Sequence, residues 1–386
     1  MKKAITVLLV AALSGGACKG ETEVQARGKA ARPARSAPPY DLAPMARMLR
    51  PGVAAELRRQ LKIRALTDLP FYDMTLTLVP LEARLEGSYT LYYLNRSGRS
   101  MPALPLLLHP NTPRELGGPA SSSLLEVTAA KTLSGPAVKE VERVRLTLVK
   151  LRLERPLKPG ERIKLEVRFT GTMRRLPSDS NDIFSQAFSS LGMSSSGMAA
   201  SDYGLLAVGD GIITLASAYP MVAPFRGGRF DTTPPTRFGD LAYNDLCHFR
   251  ARVIVPSGFM VVTNLLDGDP RPSVGGQLVT FTSAAAANRD LVVVAGRDLV
   301  RTEARVGPVK VTSVHKSRDA AGGRLILETA RKSLAFFEQR FGPYPFVEVD
   351  AAEATLVGGA GGVEFPGMVL VAGMLYRKPS RSANPM

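Results

Sequence analysis

Tryptophan is absent from this chain of 386 residues, which has only three histidines, His109, His248 and His315, and two cysteines, Cys18 and Cys247. A metal site built on several imidazoles therefore has few residues to draw on. No histidine has a second one at helical spacing, so His-Glu-x-x-His, which sets two imidazoles on one helix face at i and i+4, does not occur. Two cysteines exclude a disulfide-stapled framework. Cys247 and His248 are neighbours in a strand-like run, where successive side chains point to opposite faces, so they do not form a nucleophile pair. The glycines Gly358, Gly359, Gly361 and Gly362 are followed by no Lys-Ser/Thr and open no helix, which excludes a phosphate loop.

Acidic residues are also in short supply, 34 against 50 Lys and Arg, for a net charge of +16. The excess is spread over Arg27 to Arg64 and the polar sides of strands. It shows no recognition helix, zinc finger or interleaved basic and aromatic pattern. It reads as solvated surface plus a basic tether, and nucleic acid is not an expected partner.

What is present is ordinary globular composition, 45% hydrophobic and 22% charged, in a length that allows two or three domains. The first residues form a targeting segment: Lys2 and Lys3, an apolar run from Ala4 to Leu13 too short to span a bilayer, then Gly15-Gly16-Ala17 before Cys18. The Cys in that place resembles a bacterial lipoprotein signal, which implies acylation of Cys18. The expectation is export to the bacterial cell envelope with a lipid anchor in a membrane. Residues 19–40, rich in Ala, Arg, Lys and Pro, read as a disordered tether. Val53, Leu57 and Leu61 then repeat at helical spacing behind Pro51.

From Phe71 the period becomes two. Tyr72, Met74, Leu76 and Leu78 alternate with polar residues. Tyr89 to Leu94, Leu104 to Leu108, the run through Val144, Leu146 and Leu148, and Ile163 to Thr170 read as further strands. Pro156 to Gly160 is a turn before the last of these. More strands are expected at Ile212 to Leu215, Phe249 to Val255, Phe259 to Val262, Leu278 to Phe281 and Leu291 to Ala295. Alternation with one wet face implies an antiparallel β-sandwich. Residues 184–204, rich in Ser, Gly, Met and Ala, read as a loop.

Near Val309 the pattern changes. A strand to His315 is followed by Gly322-Gly323 and a helix from about Arg324 to Phe341, with Ile326, Ala330, Leu334, Phe337 and Phe341 on one face. It stops at Gly342-Pro343. Strands are expected at Phe346 to Ala351 and Met368 to Val371, with a Gly-rich turn between them. The sequence thus divides into a signal (1–18), a basic linker with a short helix (19–64), a β-domain (65–305) and the start of an α+β domain (306–386), too short to bury its core.

Phe341-Gly342-Pro343-Tyr344-Pro345-Phe346, followed by Asp350 and by Gly361-Gly362-Val363-Glu364-Phe365-Pro366-Gly367, resembles the M1 family of zinc metallopeptidases, the gluzincin aminopeptidases. Val363 stands where the family's Gly-x-Met-Glu motif has Met. Ala218-Tyr219-Pro220 and Pro256-Ser257-Gly258 resemble parts of the family's N-terminal β-domain, though no Gln lies upstream of Tyr219 to face substrate as often occurs there. The resemblance covers roughly residues 70 to 376. It implies a mainly β fold: a saddle-like sandwich followed by the truncated start of a thermolysin-like domain. It implies that Gly361, Gly362, Val363 and Glu364 bind a peptide substrate, with Glu364 receiving the α-ammonium, and that zinc is the cofactor. The zinc ligands, the catalytic base and the catalytic Tyr have no counterparts here.

Three expectations follow. The chain is the front portion of an exported zinc aminopeptidase, inactive alone. Otherwise it is a non-catalytic lipoprotein that binds peptides or a protein partner, or it borrows a metal site from another chain.

Overall fold

Residues of period two become strands whose apolar members turn inward. In Phe71–Val79, Met74, Leu76 and Leu78 are buried while Asp73, Thr75 and Thr77 keep partial access to water. The structure, a computed structural model, describes residues 39–113, 116, 118, 124–176, 203–234, 242–357 and 360–377. The expected signal with Cys18, the tether up to residue 38, most of the loop 184–204, and Gly358 and Gly359 lie outside them.

The fold is mainly β. One large sheet carries Leu278–Asn288, Cys247–Pro256, Phe71–Val79, Arg84–Leu94, Arg162–Thr172 and Leu125–Ser134 in that order. All neighbours run antiparallel except Phe71–Val79 and Cys247–Pro256, which are parallel. A four-stranded sheet (Met221–Val222, Met101–Leu107, Leu148–Leu157, Val138–Arg145) and a five-stranded one (Met260–Thr263, Val292–Gly296, Ile212–Ala216, Leu206–Gly209, Arg174–Arg175) complete the β-rich part. Their inward faces share one core with Phe71, Tyr89, Phe169, Tyr219 and Phe249. The run expected as a strand through Val144, Leu146 and Leu148 is instead a hairpin. Val138–Arg145 turns at Leu146-Thr147 into Leu148–Leu157, and an alternating pattern cannot show a turn made of residues that continue it.

The last sheet runs Leu299–Val306, Val309–Lys316, Glu348–Ala354, Met368–Ala372, Gly362–Phe365. Its three middle strands are parallel, and the helix Ala320–Phe341 connects two of them across one face. This helix starts before the expected Arg324 and includes Gly322 and Gly323. A Cβ on Gly322 would lie 2.2 Å from the Tyr376 carbonyl oxygen, and one on Gly323 2.3 Å from the His315 ring. These glycines therefore allow the helix to sit close on the sheet. Of the expected apolar face, Leu334 is buried against Val309 and Val311, whereas Phe337 and Phe341 are about half exposed.

Between Gly52 and Arg64 the helix is Val53–Gln60, with no fully buried residue. The short turn before it is more deeply placed. Met45, Met48 and Leu49 join the main core, and Leu49 bridges to Phe346. Arg50 N donates to Pro345 O (2.9 Å) and Val347 N to Met48 O (2.9 Å), so the Tyr344-Pro345-Phe346 element is held by chain some 300 residues earlier.

Candidate functional site

Gly362–Phe365, expected as part of a Gly-rich turn, is the edge strand of the last sheet. It pairs with Met368–Ala372, with Glu364 opposite Val369 and Phe365 opposite Met368. The alternation sorts its side chains. Val363 and Phe365 pack on the cluster of Ile212, Val292, Val294 and Leu370, while Gly362 and Glu364 are exposed.

The turn at Pro366-Gly367 is fixed from the β-rich part. Asn264 donates through Nδ2 to Pro366 O (3.1 Å) and Asp290 O (3.0 Å), and its Oδ1 accepts from Val292 N (2.8 Å). Asn288 Nδ2 adds a bond to Pro366 O (3.3 Å). Gly367 has φ +90°, and a Cβ there would lie 2.4 Å from Asn264 O. Two buried amides and a glycine thus set where Glu364 stands.

Beside this strand lies a cavity of about 580 Å³, lined by Gly362, Val363 and Glu364 together with His109, Arg289 and Asp290. Gly361 is not in the wall; its carbonyl accepts from Ala372 N (3.0 Å) and continues the hairpin. Glu364 makes no ion pair among the described residues, so its carboxylate is available to a cation in the cavity. Asp290 is different. It is buried, accepts from Ser217 Oγ (2.6 Å) and Leu291 N (2.7 Å), and burial pushes its carboxyl up to about 7.

Asp290, Arg289, Asn264 and Asn288 were not identified from sequence. The polar triplet Asn288-Arg289-Asp290 between two apolar strands was the available signal, because such a break in a buried run needs partners.

The histidines are dispersed. His248 is fully buried and uses both ring nitrogens. Nδ1 accepts from Ala287 N (3.0 Å), which makes Nε2 the donor to Leu66 O (2.8 Å), and burial lowers its pKa to about 4. His315 lies under the helix against Gly323. His109 is the one histidine in the cavity wall.

No protein-family model matches the chain, and no curated protein does. Solved structures do. A two-domain M1 zinc metallopeptidase, a point mutant bound to L-tryptophan, matches at TM-score 0.50 and 20% identity over 78% of this chain and 60% of that one. The fold is that of the N-terminal region of an M1 zinc metallopeptidase. An M1 zinc metallopeptidase of Deinococcus radiodurans, at 19% identity, matches with TM-score 0.47 over 78% and 59% of the two chains. The present chain thus spans about 60% of the length of the solved M1 structures it matches.

The matched two-domain structure is that of a zinc metallopeptidase. The described residues of this chain do not fit a zinc ion: no three His, Cys, Asp or Glu among them come together as a metal site, and the donors that line the cavity are two carboxylates and a single imidazole. No chemical step through a metal follows from them.

Proposed function

We propose that this chain presents the amine-recognition side of an M1-type peptidase cleft. Glu364 receives the α-ammonium of a peptide, and the edge Gly362–Phe365 gives the peptide a backbone to lie along. The observation that carries this is the exposed Glu364 carboxylate, on an edge strand pinned by Asn264 and Asn288, in the wall of a cavity of about 580 Å³. A charge-assisted hydrogen bond to an ammonium is strongest where surrounding surface excludes water, and an edge strand has unpaired backbone groups for an extended ligand. The matched two-domain structure holds a free amino acid, a ligand with the same ammonium. Hydrolysis from the amino end is the activity this reading assigns to a complete zinc site, and no described residue of this chain is assigned the bond-breaking step.

The test is calorimetric titration with a short peptide and its N-acetylated twin. Binding of the free-amine peptide should be about tenfold tighter, and Glu364→Gln should remove the difference. Equal binding of the two peptides would overturn the reading.

The dispersal of the three histidines favours a second reading, a peptide-binding lipoprotein without catalysis. Aminopeptidase activity of the purified chain with added zinc would exclude this second reading. Export and acylation at Cys18 belong to both readings, and mass spectrometry of the mature amino terminus would detect the lipid.

A further inference from the structure

A second cavity, of about 330 Å³, adjoins the first and shares Tyr243, Asn244 and Arg289 with it. We propose that it binds a carboxylate that carries an apolar group and an amide N–H, the chemistry common to an N-acylated amino acid and the last residue of a peptide.

Three features define that ligand. The wall is apolar and aromatic: Tyr72, Tyr219, Met101 and Met221 are buried there, with the Tyr72 and Tyr219 rings edge-to-face at 5.5 Å. It suits one hydrophobic side chain. The charge is unbalanced, because Arg96, Arg226 and Arg289 line the cavity against the single carboxylate of Asp245. Arg226 and Asp245 approach only to 3.7 Å, and Arg226 lies over the Tyr243 ring at 4.1 Å. Among the described residues the Arg289 side chain makes one hydrogen bond, from Nη1 to Asn244 O (2.7 Å), which leaves further donors of its fork for an anion. Arg96 makes no ion pair among the described residues. The third feature is Asn244 Oδ1, a buried acceptor without a hydrogen-bond partner among the described residues. Such an atom is costly unless a donor reaches it, and an amide N–H one residue from a carboxylate is a suitable donor.

This ligand needs no free amine, so the inference stands or falls apart from the role given to Glu364. N-acetyl-L-phenylalanine is the probe and its uncharged carboxamide the control, titrated calorimetrically into the full chain. The acid should bind at least about tenfold tighter than the amide, and Arg289→Ala and Arg96→Ala should each weaken the acid about fivefold or more while leaving the amide little changed. Equal affinity for acid and amide, or unchanged affinity in both Arg variants, would overturn the proposal.

A tripeptide ending in Phe separates the sources. Binding tighter than the acetylated amino acid, with the gain lost in Glu364→Gln, supports a peptide that spans both cavities. The same affinity as the acetylated amino acid supports an N-acyl amino acid that occupies the second cavity alone.

Discussion

The side-chain amide of Asn264 donates to the carbonyl oxygen of Pro366 at 3.1 Å, across 102 residues of chain. The same side chain holds Asp290 O and Val292 N. One buried residue thus connects the hairpin of Glu364 to the strand that follows Asp290. Asn264→Ala takes this partner from Asp290 O and Val292 N and leaves Pro366 O with Asn288 alone, which should cost about 2–4 kcal/mol. Urea denaturation should show the midpoint fall, and amide exchange should speed up in Gly362–Phe365 before the large sheet loosens. Unchanged exchange in the hairpin would mean that Asn264 does not position it.

Gly323→Ala should destabilise the protein, although alanine is the better helix former by about 1 kcal/mol. The new Cβ would meet the His315 ring at 2.3 Å, and His315 is fully buried and stacked with the Tyr376 ring. Overpacking of this kind costs about 1–3 kcal/mol. Thr329→Ala on the exposed side of the same helix is the control and should be neutral or slightly stabilising. Thermal denaturation of the two variants checks the prediction.

Stability should depend on pH through Asp290 and His248 in opposite senses. Asp290 has its pKa raised by burial to about 7, so the folded state holds a proton that the unfolded chain has released, and stability falls as pH rises from about 4 to 7. Asp290→Asn removes that dependence. Relative to the parent it should be more stable at pH 8 than at pH 4, by about 2–4 kcal/mol. His248 has its pKa lowered to about 4, so its contribution is present above the usual histidine range and is lost as pH falls toward 4. Urea midpoints of the parent, Asp290→Asn and His248→Gln across pH 4–8 would resolve both slopes.

Glu338 closes the helix onto the preceding core. It accepts from Arg50 Nη1 (2.5 Å) and from Tyr344 N (2.9 Å), and both charged side chains are only about one fifth exposed. Glu338→Gln keeps an acceptor but loses the charge. A double-mutant cycle with Arg50→Met should give a coupling of about 1 kcal/mol, at the upper end for partly exposed pairs. A coupling near zero would show that the pair adds no stability.

Much of the β-rich architecture was legible because strand burial follows a period of two. Met74, Leu76 and Leu78, or Ile163, Leu165, Val167 and Phe169, announce their inward face without reference to partners. Where the pattern had no such contrast, the reading failed. Leu146 and Thr147 extend an alternating run through a hairpin turn. Gly362–Phe365 is a strand with a glycine and a glutamate on its outer side, and its Gly-rich approach suggests a turn when read locally. Met45 and Met48 join the main core, and Met48 O and Arg50 N bond Val347 and Pro345, contacts no local pattern encodes.

The amino-acid sequence alone thus specified strand faces, the helix ahead of Gly342, and the Glu364 segment, since each depends on residues close together in the chain. Placement of that segment came from long-range contacts. Asn264 and Asn288 fix Pro366, Arg289 and Asp290 share its cavity, and the helix reaches its sheet because Gly322 and Gly323 lack side chains. Buried hydrogen bonds and close backbone approach depend on which atoms meet in space, and residues a hundred positions apart meet only in the folded chain.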